Sequence, residues 1–590
     1  SKIKSYLLIS VGILVFLSAY ACKKDRTPAE VPINLRNVEL TDYGFEVYPG
    51  GSVAIYGEGF SVGDKLAVSG PAGAFTVSLV DVRSGSAGFR PPKSVMTGDY
   101  KFELVRGAGR RELGMAKITV LSPFDEIPDA AGMDIKGYVR CGDLPLQGVV
   151  VTDGYSVTAT DQDGVYRIAR HQDAQFVIMS IPGNYEANTV NNIPQYFRRL
   201  GKGGVAVERH DFTLRRFDND SHVVITPTDL HLANRFEKRD IVWFKEGFVK
   251  DMDMLVADYR AKGIKTYMMP LGDLTSDAHW YSDNYDLTDY MKEIIPLKAP
   301  VFNVMGNHDN DVKFSGDQAG EQAYKDIVGP TYYSFNIGQV HYVVLDNSIW
   351  INPPESQSKI EQGVTDNQIE WLGKDLLYVD KTKPVYIGMH CQMSALNISG
   401  MNLLPSPHLK EWQKLFNCFI GFSDVHFLTG HTHIQYNVNY SNLGYPNIYE
   451  HDAGAVSGIW FWPQYASGAG ICNDGAPCGY EVLEADGTDV WRYYKSHGYP
   501  ATKQFRTYDR NEIHITAARH LPSTVSNAAK SAFEATVGDF FYENKENQVF
   551  VNVWNFGPGW SIRVTENGRE LPVTRVQQRD PLKLLVYNAG

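Results

Sequence analysis

A chain of 590 residues with 43% hydrophobic and 21% charged side chains is globular rather than disordered, and its length calls for several domains. A net charge of −12 excludes bulk nucleic-acid binding, which depends on basic surface, but leaves open a small anionic substrate held through metal. The 53 Gly and 34 Tyr lean towards β-rich modules with many turns.

At the start, Lys2 and Lys4 precede an apolar run from Tyr6 to Ala21, followed by Cys22, Lys23 and Lys24. A basic start, an apolar run too short for a bilayer and small residues at the break predict a secretory signal over residues 1–21. Leu17-Ser18-Ala19-Tyr20-Ala21-Cys22 resembles a bacterial lipoprotein signal, although Tyr20 stands where a small or aliphatic residue is usual. The resemblance implies lipidation of Cys22, anchorage in a membrane, and export to the periplasm or cell surface; a plain cleaved signal or a retained anchor is the alternative.

Residues 22–32 are polar with Pro and serve as a tether. Short alternating segments over 33–121, punctuated by Gly-rich turns, predict a small β-sandwich. The phrases Gly57-Glu58-Gly59-Phe60 and Val62-Gly63-Asp64-Lys65 resemble the immunoglobulin-like domains of bacterial surface proteins. After a linker, a second β-sandwich is expected over 133–217, where Asp153-Gly154 and Asp163-Gly164 are turn signals rather than calcium ligands.

From residue 221 the texture changes to strands alternating with helices. Ile241, Phe244, Phe248, Met252, Leu255 and Tyr259 recur at helical spacing, as do Ile369, Leu372, Leu376 and Val379 after a capping-box start at Thr365. Leu409, Trp412, Leu415, Phe416 and Phe419 mark a third helix. Five predicted strands each run into polar residues: Val223–Thr226 into Asp229 and His231, Thr266–Leu271 into Asp273, and Val301–Met305 into Asn307, His308 and Asp309. Val385–Met389 runs into His390, and Val425–Thr429 into His431 and His433. Open α/β sheets bind ligands beyond the carboxyl ends of their strands, so these residues are expected to converge.

Asp229, His231, Asp273, Asn307, His390, His431 and His433 offer mixed oxygen and nitrogen donors suited to zinc, manganese or iron rather than calcium. Seven donors exceed one tetrahedral ion and fit two ions sharing a carboxylate, the arrangement that clamps phosphorus for in-line displacement by an activated water. Each motif is weak alone; their joint order is the signal. The series resembles the calcineurin-like metallophosphoesterases.

That resemblance implies a four-layer αββα sandwich over 221–455, flanked by the N-terminal sandwiches and a C-terminal β-rich domain over 456–590. It implies two divalent or trivalent transition metal ions, with Asp229, His231 and His433 on one, Asn307, His390 and His431 on the other, and Asp273 bridging. His308 is then expected to contact the phosphate and protonate the leaving group, with Asp309 orienting it. Met305 and Ser276 stand where serine/threonine protein phosphatases have Arg and Asp, with Asp277 one further on, and Ser276 stands where purple acid phosphatases have a metal-binding Tyr. Both subfamilies are therefore disfavoured.

The expected activity is hydrolysis of a phosphate ester. Alternatives are a phosphodiesterase or pyrophosphatase acting on nucleotides or lipid head groups, and a non-catalytic surface binding protein. Past residue 455, Ile459-Trp460-Phe461-Trp462 forms either a pocket wall or core packing, and His451 is either a pocket residue or structural. Cys472 and Cys478 lie in a short loop where a disulfide is expected of an exported chain.

Overall fold

The computed structural model describes residues 32–589 apart from 41–43, 48–50, 72, 81, 83–84, 122–126, 203–206, 352–359, 400–401, 460–461 and 463–467. The expected signal, Cys22, nearly all of the tether, and Trp460 and Phe461 lie outside the described residues. Among those described, no helix is long and apolar enough to cross a membrane.

The chain divides into two compact units, Ser1–Pro123 and Phe124–Gly590. The first holds a three-stranded and a five-stranded sheet. Alternation along its strands turns Leu66, Val68, Tyr100, Phe102 and Leu104 into a common core, and Arg106 clamps buried Asp64 at 2.7 Å.

In the second unit, residues 135–216 form two facing sheets whose interior includes Ile135, Val139, Val151 and Val177. The same apolar cluster continues into the α/β region through Val223, Ile225 and Phe302, so this sandwich shares its core with the sheets beyond it.

The α/β region is built on a four-stranded and a six-stranded sheet. One orders the strands Lys265–Met268, Ser221–Thr226, Gly479–Asp486 and Asp489–Ser496; the other orders Tyr333–Ile337, Val340–Val344, Val385–Gly388, Val425–Thr429, Tyr445–Asp452 and Tyr436–Tyr440. Side-chain period 2 separates the faces of the second sheet. Tyr342, Val344, Tyr386 and Leu428 join the core that also holds Val224, Val482 and Leu483 of the first sheet. Val343, Val385, Ile387, Val425 and Phe427 face outwards onto Trp371 and Leu372 of the helix Asp366–Asp375 and Leu415 and Phe416 of the helix Trp412–Asn417. On the first sheet, the helices Arg235–Trp243 and Lys250–Ala261, joined by a π-helical segment Phe244–Val249, bury Phe248 against Tyr480. Helix, sheet, sheet and helix thus make four layers, as expected.

Three local details differ from the sequence reading. Val301–Met305 is not a continuous strand: it meets its neighbour through two isolated parallel bridges, Met268 to Val301 and Leu271 to Val304. The Thr365 side chain makes no backbone capping bond, because Gln368 spends its amide on Asp346 O and Thr365 Oγ1. The strands Gly479–Asp486 and Asp489–Ser496, assigned by sequence to a separate C-terminal domain, complete the catalytic sheet by antiparallel pairing of Ser221–Thr226 with Gly479–Asp486.

Candidate active site

The polar residues past the strand ends stand on backbone that most side chains avoid. Asp229, His231, Asp273, His431 and His433 have φ of 55°, 45°, 50°, 69° and 57°. Left-handed conformations at non-Gly residues cost on the order of 1–3 kcal/mol each and cluster at functional sites. Each turn throws its side chain back towards the sheet edge. Neighbouring glycines let the turns approach: a Cβ on Gly306 would lie 2.1 Å from Asp273 N, and one on Gly430 would lie 2.0 Å from Thr228 Oγ1.

Both carboxylates divide their oxygens between scaffold and cavity. Asp229 Oδ2 accepts from Thr228 Oγ1 at 2.8 Å and His431 N at 3.0 Å, while Asp229 Oδ1 is buried with no hydrogen-bond donor. Asp273 Oδ1 accepts from His308 N at 2.8 Å and points Oδ2 at His390 Nε2, 3.0 Å away, with His231 Nε2 at 3.7 Å. Asp229 Oδ1 lies 3.2 Å from His433 Nε2 and 3.7 Å from His231 Nε2. Asn307 Oδ1 is likewise buried without a partner.

The imidazoles are oriented from behind. His390 Nδ1 donates to Leu271 O at 2.8 Å and His433 Nδ1 to Gly458 O at 2.5 Å, which presents each Nε2 as a lone pair in the neutral ring. His231 Nε2 and His433 Nε2 are 3.3 Å apart, and His431 Nδ1 is 3.3 Å from His390 Nε2. Acceptors facing acceptors in a buried space repel unless protons or cations lie between them. Protons serve unevenly: burial brings His231 and His431 down to about 4, whereas Asp273 overrides burial and pushes His390 up to about 9. Burial opposes ionisation of Asp229, yet His433 and His231 hold it well below the usual carboxylate range.

Donor atoms of Asp229, His231 and His433 lie within 4.8 Å of one another, as do those of Asp229, Asp273 and His390. The orphaned Asp229 and Asn307 oxygens and the converging lone pairs fit divalent metal. Cys391 adds Sγ beside His390 and His431, and burial pushes that thiol well up.

Three family profiles match the chain in succession from residue 133 onwards: "N terminal of Calcineurin-like phosphoesterase" at residues 133–217, "Calcineurin-like phosphoesterase" at 219–435, and "C terminal of Calcineurin-like phosphoesterase" at 450–589. The chain belongs to the calcineurin-like phosphoesterases. Its catalytic domain is that of metal-dependent phosphoester hydrolases, which take phosphate-ester substrates. No curated protein matches this phosphoesterase. Among solved structures, a DUF4784 family protein from Bacteroides caccae is 17% identical over 24% of this chain and 30% of its own, with a TM-score of 0.12. A structural genomics protein of unknown function from Bacteroides thetaiotaomicron is 11% identical over 34% and 53%, with a TM-score of 0.13. A putative phosphatase from Bacteroides thetaiotaomicron is 13% identical over 27% and 44%, with a TM-score of 0.11. The chain therefore spans at most about half of each, and likenesses this low carry no argument.

In the phosphoesterase, His308 differs from the buried donors in that 27% of its side chain faces solvent. Its Nδ1 lies 2.6 Å from Asp277 Oδ1, and although burial opposes the charge, Asp273 and Asp277 push the imidazole up to about 10. The orienting carboxylate is thus Asp277 and not Asp309. Asp309 is fully buried and accepts from Gly306 N, Leu274 N and Thr275 N at 2.9, 3.2 and 3.0 Å, tying the Asp273 turn to the Asn307 turn. Burial and nearby Asp273 push the Asp309 carboxyl up to about 7. The sequence signal for Asp277 was present but offset: the short 3-10 turn Asp277–His279 carries the acid back to His308.

Two further candidates are structural. Buried Trp462 donates Nε1 to Leu230 O at 3.0 Å, so it is core packing beneath the Asp229 turn. His451 lies in a row of short polar contacts, Nδ1 to Asn437 Oδ1 at 2.6 Å and Nε2 to His426 Nδ1 at 2.8 Å, with His426 Nε2 on Asp424 at 2.8 Å. The expected disulfide is not formed: Cys472 and Cys478 are both buried and no S–S bond joins them.

Proposed function

We propose that this chain is a dinuclear metal phosphoesterase in which Asp229, His231 and His433 hold one ion, Asn307, His390 and His431 the other, and Asp273 spans both. The observation that carries the reading is the pair of orphaned, buried oxygens, Asp229 Oδ1 and Asn307 Oδ1, among imidazole lone pairs fixed from behind. Bound zinc, manganese or iron would supply Lewis acidity for the phosphoryl oxygens and for the attacking water. The protein's own part is positional and protonic. Asp277 fixes the His308 ring through Nδ1, leaving the opposite ring nitrogen to carry a proton to the leaving oxygen as the phosphorus–oxygen bond breaks. Asp309 keeps the turn bearing His308 and the turn bearing Asp273 in register. The dry walls strengthen each of these interactions.

Metal analysis of the purified full chain, with assays on aryl phosphate monoesters, diesters and pyrophosphate, tests the reading. About two equivalents of transition metal and metal-dependent hydrolysis of at least one ester are expected; absence of metal, or no hydrolysis with zinc, manganese or iron, sinks it. The three ester classes separate a monoesterase from a diesterase or pyrophosphatase.

The same proposal places the enzyme at a membrane surface, held by lipidated Cys22 and exported beyond the cytoplasm, on the strength of the Lys2-to-Cys22 pattern. Metabolic labelling with palmitate should mark the wild type and not Cys22→Ser; equal labelling of the two would remove the anchor.

A further inference from the structure

A cavity of 680 Å³ has walls from the C-terminal residues and from the loop that carries His433. Ile434, the next residue after His433, lines it. So does Asn473, whose N donates to His433 O at 2.9 Å and whose Nδ2 donates to Thr432 O at 3.2 Å. The cavity and the cluster are therefore built on the same turn.

Arg575, Arg579 and Lys583 also line it. Among the described residues none of these three forms an ion pair with a carboxylate, in a chain whose net charge is −12. The cavity's acids are occupied otherwise: Asp580 accepts from Tyr508 Oη and Asn552 Nδ2, and Asp474 from Gln435 N and Ala476 N. Arg579 keeps one contact, to Thr536 O at 2.8 Å, and Lys583 lies over the Tyr587 ring at 4.6 Å. Between the cations, Leu584 and Tyr587 give the cavity an apolar side.

Cations without acid partners around a cavity match an anion, and the apolar side matches a hydrocarbon body. We propose that this cavity is a substrate subsite for a second anionic group, so that the preferred esters carry a phosphate or carboxylate at the far end of a partly apolar body. The proposal rests on the phosphoesterase reading and names the substrate class for it. Such a subsite binds a remote group and thereby orients the scissile phosphate.

The test compares 1,6-hexanediol bisphosphate with hexyl phosphate on the full-length, metal-loaded enzyme. The two share an apolar body and differ in the second anion. Wild type should favour the bisphosphate in kcat/KM by about tenfold or more, the scale of one or two charge-assisted bonds. Arg575→Gln and Lys583→Gln should each cut that preference at least about threefold and together abolish it, while Lys583→Arg retains it. No preference in wild type, or an equal preference in the variants, overturns the proposal. If wild type hydrolyses neither ester, the monoesterase form of the phosphoesterase reading fails separately. The cavity is then judged by calorimetry, where the affinity advantage of the bisphosphate over hexyl phosphate must collapse in the double variant or the subsite is rejected.

Discussion

Two histidine–carboxylate clusters stand on the same strand and differ in one respect. His426, within Val425–Thr429, belongs to the relay Asp424, His426, His451 and Asn437, in which every bond from ring nitrogen to partner is 2.6 to 2.8 Å. His431, just past the end of that strand, belongs to a cluster whose ring nitrogens face one another at 3.3 Å and whose buried Asp229 Oδ1 has no donor. The residue types are alike, but Asp424 is 42% exposed whereas Asp229 is fully buried. What separates the relay from the ligand site is whether water reaches the row of acceptors, because a set of acceptors in a fully dry space is stable only with protons or a cation in it.

That contrast can be broken experimentally, most severely at the open cluster. Asp273→Asn should lower turnover by about 1,000-fold or more and reduce the metal content measured by elemental analysis, since the carboxylate between two imidazoles loses its charge. His308→Ala should lower turnover by about 100-fold or more while metal content stays at the wild-type value; loss of metal would make His308 a ligand instead of a proton donor. Asp277→Asn should cost about 10- to 100-fold, with an altered pH–rate profile and partial rescue by Asp277→Glu, because it acts through His308. Removing metal with a chelator should lower the folding stability by about 2–3 kcal/mol at ion concentrations near a hundred times Kd, read from denaturant midpoints.

The relay should respond in the opposite sense. His451→Leu is expected to cost about 1–3 kcal/mol of stability, by leaving the His426 and Asn437 groups unsatisfied, with turnover near wild type. A deeper counterpart is His222, which bonds Asn219 O at 2.9 Å and Tyr342 Oη at 2.8 Å and is brought down to about 4 by burial. Its folded value lies below the unfolded value of about 6.5, so its contribution is complete above that pH and is lost as pH falls towards 4. The stability of His222→Gln should therefore depend less steeply on pH between those limits; an unchanged slope would assign the acid sensitivity elsewhere.

The layered sheet and the donors were legible because both follow from local pattern: apolar runs stop, and metal-binding residues begin, at the same places along the chain. What escaped was set by approach between distant segments. Asp309 was expected to orient His308 because it is adjacent, yet its carboxylate is claimed by Gly306, Leu274 and Thr275, and Asp277 reaches the imidazole from another turn. The support for Asp229 was also hidden, since Ser457 N and Val456 N donate to Asp229 O and Thr228 O from a segment read as the start of another domain. Backbone hydrogen bonds of this kind have no side-chain signature. The disulfide expectation at Cys472 and Cys478 failed for a related reason: loop length and compartment favoured a bond, but Cys472 is packed under Ala455 O and Tyr494.

The strand Gly479–Asp486 beside Ser221–Thr226 has a bearing on how the molecule is born. A polypeptide emerging amino end first, from a ribosome or through a translocation pore, presents the Asp229 strand with one edge uncovered until more than 250 further residues have followed. Closing so long a loop is slow, and an open edge invites mispairing meanwhile. The turn that carries Asp229 therefore gains its finished sheet only late in folding, after the segment that bears His433 has already been made.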